Sequence, residues 1–132
     1  MEIIDSQIHF GPGGIAETVA AMDAIGIGAV MIDEWWIKTP ADPSYEVAPG
    51  VFRRPSPTAE LAAWQHPGRF AYLLRIDHRD PELPSLVRQA RDATHCRALR
   101  VSPGMSRDAV ARFAAGDEDP VFRAAAENGL PV

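Results

Sequence analysis

The strongest constraint on the fold is an alternation of short apolar strands with amphipathic helical stretches, which occurs four times along the 132 residues. The predicted strands are rich in β-branched residues and cover about residues 2–8, 29–33, 70–76 and 97–101. Between them, apolar residues recur at helical spacing, as in the first predicted helix over about residues 15–25. This alternation is typical of successive βα units on a parallel sheet.

Glycine and proline mark several helix boundaries. Gly26 stands at the C-cap position of the first helix, and Gly129 ends the last one. Pro57 follows a serine and predicts the first position of the second helix, where its missing N–H costs nothing. Asp80 and Pro81 predict the cap and first residue of the third helix in the same way.

A long connection, residues 34–56, follows the second predicted strand and carries Trp35 and Trp36. Loops at the carboxyl ends of parallel strands often build the binding site of such folds. We therefore predict that Trp35 and Trp36 bind substrate by walling a pocket for a planar ligand. Packing of the loop on its own domain is the alternative.

Composition excludes several classes of partner. The net charge is −5 and the isoelectric point about 5.3, so nothing drives binding to nucleic acid or anionic membranes. The single cysteine, Cys96, forms no internal disulfide, and the first residues lack the features of a signal peptide. No apolar run is long enough to span a bilayer. We expect a soluble, cytoplasmic protein with a small-molecule substrate.

Polar side chains alternate along the first predicted strand. Asp5, Gln7 and His9 are spaced by two residues and therefore share one face of the strand. Their position near its carboxyl end would put them at the active face of a barrel. These residues are the first candidates for a functional site.

The opening segment MEIIDSQIHF resembles the first strand of the amidohydrolase-related superfamily. Further stretches extend the resemblance over nearly the whole chain: AETVAAMDAIGIGAVMID, HPGRFAYLLRIDHRDPE, CRALRVSP and DPVFRAAAENGLPV. The resemblance implies an α/β fold, the N-terminal half of a (β/α)₈ TIM barrel, with four βα units and the start of a fifth strand near residues 130–132. Residues 1–132 would then form one partial barrel domain, truncated at the C-terminus.

The same resemblance implies that His9 is a catalytic residue and a metal ligand. The family pattern has two histidines separated by one residue, and Gln7 replaces the first of them. A carboxamide oxygen is a weaker and harder donor than imidazole. Gln7 is therefore either a weak second ligand or a hydrogen-bonded residue inside the barrel. One divalent metal, zinc or manganese, is the cofactor that the resemblance implies.

Two arginines end the third and fourth predicted strands. Arg75 with Asp77, and Arg100 with Ser102, are pairs spaced by two residues. A guanidinium can hold a substrate carboxylate through two parallel hydrogen bonds. We predict that Arg75 binds substrate and that Arg100 is catalytic, where some family members carry a substrate-contacting residue. An ion pair with a neighbouring acid is the alternative for both.

Other charged residues are better explained without a catalytic role. The adjacent Asp33 and Glu34 are interpreted as making a helix-cap or loop hydrogen bond rather than an acid and base pair. His78, Arg53 and Arg54 are candidates for anion binding, although solvated surface charge explains them more simply.

The resemblance implies a hydrolase that cleaves a C–N bond or the C–O bond of an ester or lactone in a small, carboxylated or cyclic substrate. A metal-dependent decarboxylase of the same superfamily and a truncated, non-catalytic homologue are the alternatives. We expect the isolated chain to be inactive, because the other family site residues would follow residue 132. Unpaired strand edges would favour a homo-oligomer.

Overall fold

Parallel strands alternate with helices in the computed structural model, which describes residues 3–34 and 42–132. The strands are β1 (Ile4–Ile8), β2 (Ala29–Ile32), β3 (Tyr45–Ala48), β4 (Val51–Arg53), β5 (Phe70–Arg75) and β6 (Cys96–Arg100). The helices are α1 (Gly14–Ile25), α2 (Pro57–Gln65), α3 (Leu83–Asp92), α4 (Arg107–Ala114) and α5 (Asp119–Asn128).

The main sheet is parallel, with its four strands in the order β1-β2-β5-β6, which is also their order in the chain. Strands β3 and β4 form a separate antiparallel hairpin. The predicted α/β class is therefore confirmed. The chain divides into two compact units: the first contains β1, α1, β2, α2 and β5 as far as Leu73, and the second contains the hairpin and everything from Leu74 onward.

In the first unit, β2 lies between β1 and the start of β5. Val30 is paired with Phe70 and Ile32 with Tyr72, and all four side chains are buried. Val30 and Ile32 are buried on one face of β2, whereas Ala29 and Met31 on the other face are half-buried. Helix α2 contributes three further buried residues: Ala59, Ala62 and Ala63.

The helix boundaries follow the predicted signals at three places. Gly26 ends α1 in the left-handed conformation, with φ at 76°, and donates its N–H to the carbonyl of Met22. Gly129 ends α5 with φ at 67°. A residue with a Cβ is strained in this region, which is why glycine closes both helices. Helix α2 begins at Pro57, as predicted.

In the second unit, α3 packs against β6 and α5. The predicted apolar stripe of α3 supplies the buried residues Leu83, Val87 and Ala90. Leu99 of β6 and Val121 of α5 are also buried. The core of this unit is therefore built by one amphipathic helix, its neighbouring helix and the strand beside it.

The start of α3 differs from the prediction. The helix begins at Leu83, so Pro81 is not its first residue and Asp80 is not its cap. The Asp80 carboxylate instead accepts two hydrogen bonds from the Arg53 guanidinium, at 2.7 and 2.8 Å, and one from the backbone N–H of Glu82 at 2.8 Å. The Asp80 side chain therefore binds Arg53 of the hairpin, although the local sequence predicts that it caps α3.

The hairpin lies within the long connection of residues 34–56 and was not predicted from the sequence. Its strands are only four and three residues long and flank the turn at Pro49 and Gly50. Gly50 has φ at 70°, a left-handed conformation that glycine adopts without strain. Beyond β4, Arg54 pairs its backbone with Arg75 in an antiparallel bridge. Strands this short carry too little alternation to be recognised in a sequence.

The predicted fifth strand is not formed by residues 130–132. The backbone N–H of Leu99 nevertheless donates to the carbonyl of Pro131 at 2.8 Å. The end of the described chain therefore runs beside β6 through one ladder-like hydrogen bond.

Asp80→Asn tests the ion pair between the hairpin and the segment before α3. The Asp80 side chain is 2% exposed and that of Arg53 is 19% exposed, so removing one charge leaves the other poorly solvated. We expect the free energy of unfolding to fall by about 3 kcal/mol in urea denaturation at pH 7. Glu82→Gln is the matched control, because the Glu82 side chain is 67% exposed and its pair with Arg53 should contribute less than about 1 kcal/mol.

The same pair has a defined pH dependence. The Arg53 guanidinium holds the pKa of the Asp80 carboxyl below its usual range, although burial opposes this. Its stabilising contribution is fully present above the ordinary aspartate pKa of about 3.9 and is lost as the pH falls through the lowered value. Wild type and Asp80→Asn should therefore converge in acid. Equal losses for the Asp80 and Glu82 variants at pH 7 would contradict this assignment.

Candidate functional site

The predicted residues of the first strand meet Asp33 in the first unit. Asp33 follows β2 and is fully buried. The Gln7 side-chain amide donates from Nε2 to Asp33 Oδ2 at 3.3 Å, and His9 Nδ1 lies 2.5 Å from the backbone carbonyl oxygen of Asp33. A carbonyl oxygen only accepts, so Nδ1 carries the proton in this contact and neutral His9 has its lone pair on Nε2.

These contacts do not form a metal site by themselves. Within residues 3–34 and 42–132, no group of three or more histidine, cysteine, aspartate or glutamate side chains is close enough to hold a metal ion. The Gln7 amide nitrogen faces a carboxylate, as expected of a hydrogen-bonded residue rather than a ligand. The described residues therefore do not fit a complete zinc or manganese centre. The ligand roles of Gln7 and His9 remain predictions.

Gln7→His tests whether the strand geometry supports a metal. Restoring a second imidazole two residues from His9 should raise zinc affinity at least tenfold, equivalent to about 1.4 kcal/mol, in calorimetric titration. The double variant Gln7→His/His9→Ala is the control and should lose that gain. Unchanged affinity in Gln7→His would show that the two side chains do not converge on one ion.

Glu34 has a structural role. Its buried carboxylate accepts the backbone N–H of Thr58 at 3.2 Å and that of Ala59 at 2.8 Å, in the first turn of α2. A helix amino terminus leaves such N–H groups without partners and favours negative charge. The interpretation of Glu34 as a helix-cap residue is therefore confirmed.

The second unit contains a cavity of about 500 Å³ at the carboxyl ends of β5 and β6. Cavities of this size hold small-molecule ligands. The hairpin and α4 also contribute to its walls. Among the described residues, the titratable side chains that line it are Arg54, Arg75, Asp77, His78, Arg79, Arg100, Arg112, Asp117 and Glu118.

Arg75 and Arg100 are brought together by the parallel pairing of the two strands. Each is the last residue of its strand, and the backbone N–H of Ile76 donates to the carbonyl of Arg100 at 2.9 Å. Arg75 Nη1 lies 3.5 Å from Ser102 Oγ, the upper limit of a hydrogen bond. Both predicted arginines, with Asp77 and Ser102, therefore line the same cavity.

Arg54 joins them through the hairpin. Its backbone bridge to Arg75 brings to the cavity a side chain that sequence reasoning treated as surface charge. The signal that could have revealed it is the Pro49-Gly50 turn between two short apolar segments. Arg53, the other member of this pair, is held by Asp80 and Glu82 and does not line the cavity.

Asp77 and Arg79 neutralise each other at the cavity rim. Arg79 donates from Nε and Nη2 to the Asp77 carboxylate at 2.9 and 2.6 Å, and from Nη2 to the carbonyl of Gly50 at 3.0 Å. Burial raises the pKa of Asp77, but hydrogen bonds from Arg79 outweigh it and the pKa lies below its usual range. This pair supports the hairpin turn and keeps a carboxylate ionised.

His78 and Glu118 form a second contact between a basic and an acidic side chain in the cavity. His78 Nδ1 lies 3.0 Å from Glu118 Oε1, and the Glu118 side chain is only 7% exposed. Glu118 Oε2 is buried and makes no hydrogen bond within the described part of the chain. The sequence interpretation of His78 as solvated surface charge therefore misses its buried partner, which lies 40 residues away in sequence.

The cavity has an excess of positive charge. The described lining contains five arginines and three carboxylates, so the sum of their charges is positive. Walls of one dominant sign attract an opposite charge more strongly than open solvent does. The cavity is therefore suited to an anion, and guanidinium groups favour a planar carboxylate in particular.

Trp35 and Trp36 lie outside the described residues. No helix in the described part of the chain is long and apolar enough to cross a membrane. No family model matches the chain, and no curated protein or solved structure shows significant similarity to it.

Proposed function

We propose that the protein is an amidohydrolase-type hydrolase that binds a small carboxylated substrate in the arginine-lined cavity of the second unit. The observation that carries this proposal is the convergence of Arg75 and Arg100 at the carboxyl ends of two adjacent parallel strands. Ligands of parallel α/β folds bind at this end of the strands.

The order of the strands supports a barrel over an open, doubly wound sheet. In the doubly wound fold the strand order reverses at a switch point, whereas the order here follows the chain without reversal. A (β/α)₈ barrel adds each strand beside the preceding one in this way. In this proposal the chain supplies four of the eight βα units and residues near Pro131 lead into the next strand.

The chemistry assigns different tasks to the two predicted arginines. Arg75 holds the substrate carboxylate through paired N–H···O contacts, which fixes the orientation of the substrate. Arg100 donates to the carbonyl oxygen that becomes negatively charged when water attacks it, which lowers the barrier to hydrolysis. Ester, lactone and amide carbonyls all develop this charge.

Hydrolysis suits this cavity better than decarboxylation of the same carboxylate. A decarboxylase benefits when the departing carboxylate is less stabilised than the transition state. Guanidinium groups around the anion do the opposite, because they stabilise the ground-state charge. The arginines therefore favour a reaction in which the carboxylate is a handle and another bond is cleaved.

The predicted catalytic role of His9, which belongs to the first unit, is a separate proposal that rests on the resemblance of its strand. Its Nδ1 contact with the Asp33 carbonyl leaves Nε2 as the nitrogen that would bind a metal or a proton. A metal there would need ligands beyond the described residues. Metal analysis of the protein is the direct check.

Activity is measured on the complete barrel of this proposal, because the isolated chain is expected to be inactive. Substrate recognition is tested with Arg75→Gln and Arg100→Gln. Arg75→Gln should weaken glutarate binding by about 1.5 to 3 kcal/mol, the usual contribution of hydrogen bonds to charged groups, measured by calorimetry. With mono-para-nitrophenyl glutarate as the ester, Arg75→Gln should mainly raise KM and Arg100→Gln should mainly lower kcat.

Arg97→Gln is the matched control, because Arg97 lies on the same strand as Arg100 but is exposed and does not line the cavity. It should leave both binding and turnover unchanged. The proposal is wrong if the uncharged ester para-nitrophenyl acetate is cleaved as efficiently as the glutarate ester. Equal effects of the Arg97 and Arg75 substitutions would also contradict it.

A further inference from the structure

The His78 and Glu118 pair occupies the same cavity as Arg75 and Arg100. Glu118 immediately precedes α5, and its carbonyl accepts the backbone N–H groups of Val121 and Phe122 at 2.9 and 3.2 Å. Its carboxylate is therefore held by a well-anchored backbone. The contact from Glu118 Oε1 to His78 Nδ1 orients the imidazole from one side.

This contact determines which ring nitrogen can accept a proton. An ionised carboxylate only accepts hydrogen bonds, so His78 donates from Nδ1. The neutral ring then carries its lone pair on Nε2. A carboxylate that holds a histidine in this tautomer also stabilises the imidazolium formed when Nε2 takes a proton.

The burial of Glu118 is difficult to explain as a purely structural feature. A solvated surface histidine needs no buried carboxylate, yet Glu118 is 5% exposed and its Oε2 has no hydrogen-bond partner in the described part of the chain. Buried polar atoms without partners are rare because they lose their hydration, and a catalytic role is one of the explanations for those that persist.

We infer that His78 is the general base of the proposed hydrolysis and that Glu118 is its positioning residue. This inference rests on the proposed function and adds to it the group that activates water. It requires neither the metal nor His9.

The reaction step is balanced with water as the only co-reactant. His78 Nε2 takes one proton from water while the water oxygen forms a bond to the substrate carbonyl carbon. The C–O or C–N bond of the tetrahedral intermediate then breaks, and the proton passes from the imidazolium to the departing oxygen or nitrogen. The products are a carboxylic acid and an alcohol or amine.

The charged groups around His78 are those that line the cavity with it. Glu118 contacts the ring directly, and the Asp77 carboxylate, which Arg79 holds ionised, lies next to it in sequence. The hairpin, strand ends and α4 region contribute the rest: Arg54, Arg75, Arg100, Arg112 and Asp117. These groups also contribute to the pH profile, so His78 substitutions are needed to assign it.

The test uses mono-para-nitrophenyl glutarate as the probe. We expect wild-type kcat/KM to rise with pH, because only the neutral imidazole can accept a proton from water. His78→Ala should lower kcat by about 10²- to 10⁴-fold, abolish that rise and leave KM within about twofold. Added imidazole should restore part of the rate in His78→Ala beyond the hydrolysis that imidazole alone causes without protein, an effect that a structural role would not produce.

Glu118 is tested with two substitutions. Glu118→Gln keeps the side-chain shape and removes the charge, and should lower kcat with little change in KM. Glu118→Asp keeps the charge and should recover part of the lost rate. His95→Ala is the control, because His95 does not line the cavity, and should behave as wild type. Circular dichroism identifies any variant that does not fold.

The outcomes separate this inference from the proposed function. Full activity in His78→Ala, or a failure of imidazole to restore any rate, overturns the role of His78 while hydrolysis by the wild type leaves the proposed function intact. If the wild type binds glutarate but cleaves neither ester, the general-base role is wrong and only carboxylate recognition survives. Absence of glutarate binding together with absence of cleavage overturns both.

Discussion

The second unit depends on the ion pair between Arg53 and Asp80. Its two hydrogen bonds fix the hairpin to the segment between β5 and α3. The hairpin is too short to be stable alone, because two-stranded hairpins are marginal in water. With Arg53 anchored, the next residue reaches the cavity through its backbone bridge to Arg75. The walls of the cavity therefore follow from a pair of charges that is itself outside the cavity.

The distribution of charge in this unit explains why the cavity is suited to an anion. Arg53 and Arg79 have close acidic partners, at 2.7 and 2.6 Å, and Arg112 has a more distant one at 3.7 Å. The lining as described still contains more arginines than carboxylates. These ion pairs thus support the frame of the site, while the net charge of the described lining stays positive. Guanidinium groups suit both tasks because they stay charged and present several N–H donors in one plane.

His9 and His78 have different environments. His9 is exposed and contacts a backbone carbonyl, whereas His78 contacts a buried carboxylate. A neutral carbonyl orients the ring, but a carboxylate both orients it and stabilises its protonated form. Physical chemistry therefore favours His78 as the base, while the resemblance of the first strand favours His9. The general-base assignment to His78 rests on this difference between the two partners.

Local sequence signals predicted the structure correctly where the conformational preference of a single residue decides it. Gly26 and Gly129 predicted helix ends because the left-handed conformation excludes most other residues, and Pro57 predicted a helix start because it lacks an N–H. The residues at the strand ends could also be named, since Arg75 and Arg100 follow apolar runs of parallel-strand type. These local signals do not predict that Arg75 and Arg100 lie close together or that they line one cavity.

The sequence by itself determined the α/β alternation, most helix boundaries and the two strand-end arginines, because each depends on residues close in the chain. Only the tertiary structure decided that Asp80 binds Arg53 rather than capping α3, that Arg54 reaches the cavity and that His78 meets Glu118. Each of these involves a contact between residues that are 21 to 40 positions apart, through side chains in two cases and through the backbone for Arg54 and Arg75. Their partners are chosen by how the backbone packs and by the cost of burying an unpaired charge, and neither quantity can be read from a local pattern.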